Sequence, residues 1–227
     1  MKNTKMRIIL GIIGAIMLIV VFFLVMDFRE EGILKDTINT YVEEGKLPEK
    51  SSTTGEYHRI EETVLEFLVG LDDTLDDFEK TCEETKKFEY YTVEHAYNSL
   101  KDDFKNDKEM LAKYEKELNE QLDLFIELND YDKLVKKFHS DESEYYNDLY
   151  IELLGGRKEF DEAVKTYESL QDMFDAYFDV ANRYIDFLQN SSLIIEDDKE
   201  YMMFKTDEEV ETYNNFIDEI NNLEMDF

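Results

Sequence analysis

The sequence predicts an all-α protein: a single N-terminal transmembrane helix followed by an antiparallel bundle of about three long helices plus shorter helices. Three observations carry this expectation. One apolar run near the start is long enough to cross a bilayer. Apolar residues then recur every three or four positions over most of the remaining chain, the period of a helix with one buried face. One Pro and eight Gly in 227 residues leave little room for a turn-rich β fold.

Ile8 to Met26 (IILGIIGAIMLIVVFFLVM) are nineteen consecutive residues without a polar side chain. As a helix they reach roughly 28 Å, close to the ~30 Å hydrocarbon core. A cleaved secretory signal has a shorter apolar region and a small-residue cleavage site. Here the small residues Gly11, Gly14 and Ala15 lie in the first half, and the run ends in Phe22, Phe23, Leu24, Val25, Met26 and Asp27. An uncleaved anchor is therefore expected. Lys2, Lys5 and Arg7 precede it with no acid among them, which places the N-terminus in the cytoplasm by the retention of basic residues on that side. The division that follows is a cytoplasmic tail at 1–7, a transmembrane helix at 8–26, a juxtamembrane helix and linker at 27–56, and an acidic helical bundle outside the cytoplasm at 57–227.

Within 27–56, a short helix from Ile33 is ended by Gly45 with Pro48 three residues on, and Ser51, Ser52, Thr53, Thr54 and Gly55 form the linker. The bundle opens with the stripe Ile60, Val64, Phe67, Leu71, Leu75, Phe78, Cys82. A second stripe runs Val93, Tyr97, Leu100, Phe104, Leu111, Tyr114, Leu118, Leu122, Phe125 and is read as one helix about 57 Å long. The third runs Tyr146, Leu149, Leu153, Phe160, Val164, Tyr167, Phe174, Tyr177, Ala181, Ile185, Leu188. Leu134 to Phe138 form a short apolar piece between the second and third. Gly155 and Gly156 interrupt the third stripe without shifting its phase. Length matching against the first two helices predicts a kink or short break there, with the long helix starting at Arg157. Thr206 and Glu209 make a capping box for a last helix through Val210, Tyr213, Phe216, Ile220 and Leu223.

Fifty-six acids stand against twenty-five Lys and Arg, a net charge of −31. Setting aside Lys2, Lys5 and Arg7 leaves 22 basic residues against 56 acidic, or −34, on residues 27–227. Nucleic acid is excluded as a partner, because phosphate neutralisation needs basic patches. The 14% aromatic content supplies the burial that disordered acidic chains lack. Cys82, the lone cysteine, cannot form an internal disulfide and reads as a buried, inert thiol. Abundant Ile, Lys, Asn, Tyr and Phe with no Trp is the composition that AT-rich codons produce.

The chemistry-bearing residues are sparse. His58, His95 and His139 are scattered, outside any zinc or di-iron spacing, and read as surface residues. There is no Gly-rich phosphate loop, G-x-S-x-G or C-x-x-C. No cofactor is implied, and the chain does not read as an enzyme. The densest acidic cluster is Asp72, Asp73, Asp76 and Asp77, whose i to i+4 spacing aligns carboxylates about 5 to 6 Å apart on one side of a helix. These four are the expected interaction patch, for a basic protein surface or for weakly held divalent cations, although no calcium-loop pattern imposes close coordination. The reading that follows is a single-pass, membrane-anchored helical bundle acting as a protein-binding or structural module of the cell envelope, with the lipid bilayer as partner of residues 8–26. Its alternative is a sensor or ligand-binding domain signalling through a membrane partner.

Overall fold

The computed structural model describes residues 29–48, 53–195 and 201–223. The chain is almost entirely helical: α1 (Arg29–Glu44), α2 (Gly55–Lys87), α3 (Val93–Ser99), a 3-10 turn (Leu100–Asp102), α4 (Lys105–Leu128), α5 (Tyr131–Val135), α6 (Glu144–Leu154), α7 (Arg157–Asn190) and α8 (Asp207–Asn222). Two-residue strands, β1 (Ile194–Ile195) and β2 (Met202–Met203), pair antiparallel between α7 and α8. Among the described residues no helix is long and apolar enough to cross a membrane. The run Ile8–Met26 lies outside the described residues, as do the tail at 1–7 and Ser51 and Ser52 of the linker.

The chain forms two compact units. Unit one takes the described residues up to Asp76 together with Asp123–Glu168; unit two takes Asp77–Leu122 and the described residues from Ser169 onward. The long helices α2, α4 and α7 each supply residues to both.

In unit one the first stripe falls where its period requires: Ile60, Val64, Phe67 and Leu71 of α2 are buried, as are Phe160 and Tyr167 of α7. Phe67 and Phe160 meet at 5.8 Å between ring centroids, and Phe125 stacks on Tyr167 at 4.8 Å. Gly70 lets α4 come close: a Cβ there would sit 3.4 Å from a methyl of Leu128. The short piece after α4 closes one side of this core, with Leu134 and Phe138 buried and the Tyr150 hydroxyl donating to the Leu134 carbonyl at 2.7 Å. The helix read from the sequence as juxtamembrane, α1, packs into this unit by burying Leu34 and Ile38. It is tied there by the Tyr41 hydroxyl, which donates to Asp72 Oδ2 at 2.7 Å, and by the Tyr145 hydroxyl, which donates to Glu31. Its described part runs from Arg29, so the helix already includes the residues just before the expected Ile33, and Gly45 ends it at φ +65°, where a side chain would be strained.

The break at the paired glycines is present. Gly155 adopts φ 93°, ψ −173°, a region open essentially to glycine alone, and ends α6; α7 starts at Arg157 as length matching requires. The apolar phase survives the break because Leu153 and Phe160 are buried in the same unit.

Unit two holds the other ends of the long helices. Gln121 of α4 donates to Thr81 of α2 while Lys113 faces Glu84, and Asn119 and Lys108 of α4 meet Asp175 and Asp186 of α7. Both neighbours of α4 therefore run antiparallel to it. Phe78 packs edge-on against Phe174 at 5.9 Å, and Leu111, Leu118, Phe178 and Ile185 are fully buried in the same unit. Threonines enter this core without leaving an orphan hydroxyl: Thr81 and Thr85 donate to the carbonyls four residues earlier at 2.9 and 2.8 Å. The capping box is formed, Thr206 accepting from the Glu209 amide and Glu209 accepting from the Thr206 amide.

One expected element is corrected. The second stripe is not one helix about 57 Å long: it is α3, the 3-10 turn and a 24-residue α4, separated by Asp103 and Phe104, both at φ 58°. The bend is imposed from outside. Gln189 of α7 donates to both the carbonyl and the side chain of Asp103, at 3.1 and 2.8 Å, and Phe104 is buried under the turn. Leu100, expected on the apolar stripe, is turned outward and 40% exposed. The strand pair is also unanticipated, since two residues cannot display a period of two.

Candidate functional site

Asp72, Asp73, Asp76 and Asp77 are all exposed on α2. The first three belong to unit one and Asp77 to unit two. They are not equivalent. Asp72 is spoken for by the Tyr41 hydroxyl, and burial together with that carboxylate acceptor pushes the Tyr41 phenol well above its ordinary range. Asp73 and Asp76 reinforce the shift through their charge. Asp77 uses its backbone carbonyl to accept from Thr81. The helix thus presents these acids to water from fixed positions, and Asp72 doubles as the anchor of α1. Among the described residues no three of His, Cys, Asp and Glu are grouped to hold a metal ion.

Each histidine faces a carboxylate: His58 with Glu62 at 3.4 Å, His139 with Asp141 at 3.1 Å, and His95 with Asp107 at 3.0 Å. His58 and His139 are exposed or nearly so, as expected of surface residues. His95 departs from that expectation. Its ring lies edge-on to Phe88 at 5.0 Å, and its partner Asp107 is 1% exposed with one carboxylate oxygen buried and without a hydrogen-bond partner. The local chain explains this placement: Thr92 caps α3 by accepting from the His95 amide, and the bend at Asp103–Phe104 brings the first turn of α4 back toward α3. Cys82 is buried, and burial reinforced by the charge of Glu79 pushes its thiol up to about 12, so the nucleophilic thiolate is suppressed.

A third group of polar contacts sits where α8 begins. Glu209 accepts from the Ser192 hydroxyl at 2.6 Å and from the Ser192 amide at 2.7 Å, and the Lys205 amide donates to the same hydroxyl at 2.8 Å. The Ser192 hydroxyl and amide, followed by Thr206, hold the Glu209 carboxyl at about 2. A carboxyl held below its ordinary ~4.3 favours the folded state fully above that value, and the contribution disappears as pH falls toward the lowered one. The Ser192 amide resonance is therefore expected to stay in its bonded position down to about pH 4 and to move with a midpoint near 2. A midpoint at the ordinary carboxylate value would show that the clasp is open in solution. Glu209→Gln should remove the acid transition. The sequence signalled the capping box; the grip on Ser192, seventeen positions earlier, carries no local signature.

The fold and these groups together define an acidic, all-α helical bundle. No protein-family model, curated protein or solved structure matches the chain.

Proposed function

We propose that the chain is a single-pass membrane protein that displays its acidic helical bundle outside the cytoplasm, where the bundle binds or braces another protein of the cell envelope. The observation that carries this reading is the nineteen-residue apolar run Ile8–Met26, placed between Lys2, Lys5 and Arg7 and a helical chain of charge −34. An uninterrupted run of this length matches the hydrocarbon thickness, and the basic flank favours retention of the N-terminus in the cytoplasm. The bundle supports a binding or bracing role in two ways. Within each unit its helices are held together by buried aromatic rings, and its acids stand on the surface, as with Asp72, Asp73, Asp76 and Asp77. Such a surface steers basic partners toward itself and repels anionic ones.

Topology is the decisive measurement. Protease added to intact cells or protoplasts is expected to degrade the bundle and to leave a small protected fragment containing Ile8–Met26. Survival of the bundle until the membrane is lysed would reverse the orientation and with it the envelope reading. Capture of the full-length protein in mild detergent, followed by identification of what accompanies it, then names the partner.

A further inference from the structure

We propose that the outward face of the β1–β2 hairpin in unit two is a docking surface for a partner segment with an apolar centre and Lys or Arg at its edges. The proposal rests on the binding-module reading above and adds where the module binds.

Cross-strand partners in an antiparallel pair point to the same side, and a hairpin packed on a core has one face inward and apolar, the other outward and polar. Here the partners are Ile195 with Met202 and Ile194 with Met203. The first pair faces the protein: both residues are half-buried, and the Met202 sulfur lies 3.9 Å from the Tyr184 hydroxyl of α7. The second pair must then face out, where polar residues belong. It is apolar instead: Ile194 is 44% and Met203 38% exposed, and Tyr201, two positions before Met203, is 70% exposed. Val210, one residue beyond the Glu209 clasp that ties α8 to Ser192, is 41% exposed. Ile194, Tyr201 and Met203 thus reach solvent from one short hairpin, and Val210 from the first turn of the helix that follows it. Met and Tyr are enriched at the centre of protein interfaces, and contiguous exposed apolar groups mark such sites.

Charge identifies the occupant. Two to eight positions beyond Met203 the described chain exposes Lys205, Asp207, Glu208 and Glu211, one base against three acids. An apolar centre with an acidic margin complements an apolar centre with a basic margin. A second copy of this chain brings the same acids on a body of charge −31, and an anionic lipid surface brings phosphates, so both are repelled.

The test uses the full-length chain in nanodiscs of zwitterionic lipid and a photoreactive helical peptide of Leu and Lys, with a control peptide in which every Leu is Ser. Cross-links are mapped by mass spectrometry, so partition of the peptide into lipid does not obscure the location. The Leu/Lys peptide is expected to cross-link at Ile194, Tyr201 or Met203, about tenfold or more above the Ser/Lys peptide, and the difference should collapse in Ile194→Ser/Met203→Ser. The paired substitution of Leu124 and Ile151, exposed apolar residues of unit one, should leave it intact. Unchanged helical circular dichroism of each variant separates loss of docking from loss of fold. Cross-links spread evenly over the acidic helices, or insensitive to the hairpin substitutions, would overturn the proposal. Protease accessibility is measured separately, so a reversed topology and a failed docking surface give different results.

Discussion

Phe174→Ala lowers the stability of the bundle by about 3 to 5 kcal/mol and Leu118→Ala by about 2 to 5 kcal/mol, measured by urea unfolding of the full-length chain. Both side chains are essentially inaccessible to solvent in unit two, and Phe174 also loses its edge-on contact with Phe78. The cost has two parts, the apolar surface returned to water and the cavity that rigid neighbours cannot refill. The control lies on the same helix as Leu118. Leu124 is 44% exposed, so Leu124→Ala should stay within about 0.5 kcal/mol. Equal effects at Leu118 and Leu124 would mean that the buried face of α4 has been misassigned.

Gly155→Ala is expected to cost about 1 to 3 kcal/mol, whereas Gly156→Ala should cost almost nothing. The two glycines are adjacent but do different things. Gly155 holds φ 93°, ψ −173°, where a Cβ collides with its own backbone whatever the surroundings. A Cβ on Gly156 would meet a carboxylate oxygen of Glu159 at 2.5 Å, but that oxygen is the free end of a flexible side chain and swings away. Urea midpoints of the two variants check the contrast. If they coincide, the break between α6 and α7 is not held in the glycine-only conformation. A double Ala variant that gains helicity would show the two helices merging, which the unbroken phase of the apolar stripe permits.

That ambiguity shows where local pattern stops being informative. The stripe from Leu153 to Phe160 kept its seven-residue spacing because both residues serve one core, and periodicity therefore could not distinguish a break from a continuous helix. Length matching against the first two expected helices pointed to the break, and of those two only α2 has the expected length, the second being interrupted at Asp103–Phe104. The bend at Asp103–Phe104 had no such help. It contains neither Gly nor Pro, and it is held by Gln189, 86 positions away. A tertiary hydrogen bond outweighs the local preference against φ > 0, so the interruption of the second stripe was invisible in sequence. The buried Asp107 beside His95 follows from the same bend. For the acidic cluster the helical spacing sufficed to put Asp72, Asp73, Asp76 and Asp77 on the surface. It could not reveal that Tyr41, from the preceding helix, would take Asp72 as its acceptor. The hairpin escaped because its signal is two residues long and its meaning lies in which face is turned outward.

The aromatic packing gives the protein its own optical reporters. The chain contains fifteen tyrosines and no tryptophan, so near-ultraviolet absorption, fluorescence and dichroism come from phenol rings without an indole to overwhelm them. Several of those rings are structural. Tyr150 and Tyr167 lie in the core of unit one, Tyr90 and Tyr184 in that of unit two, each in an asymmetric and fixed environment of the kind that produces near-ultraviolet dichroism and loses it when packing loosens. Each unit thus carries its own built-in chromophores. Tyr-to-Phe exchange at one of them, which keeps the ring and removes the phenol signal, would assign the spectrum unit by unit and follow the loosening of either core without attaching any label.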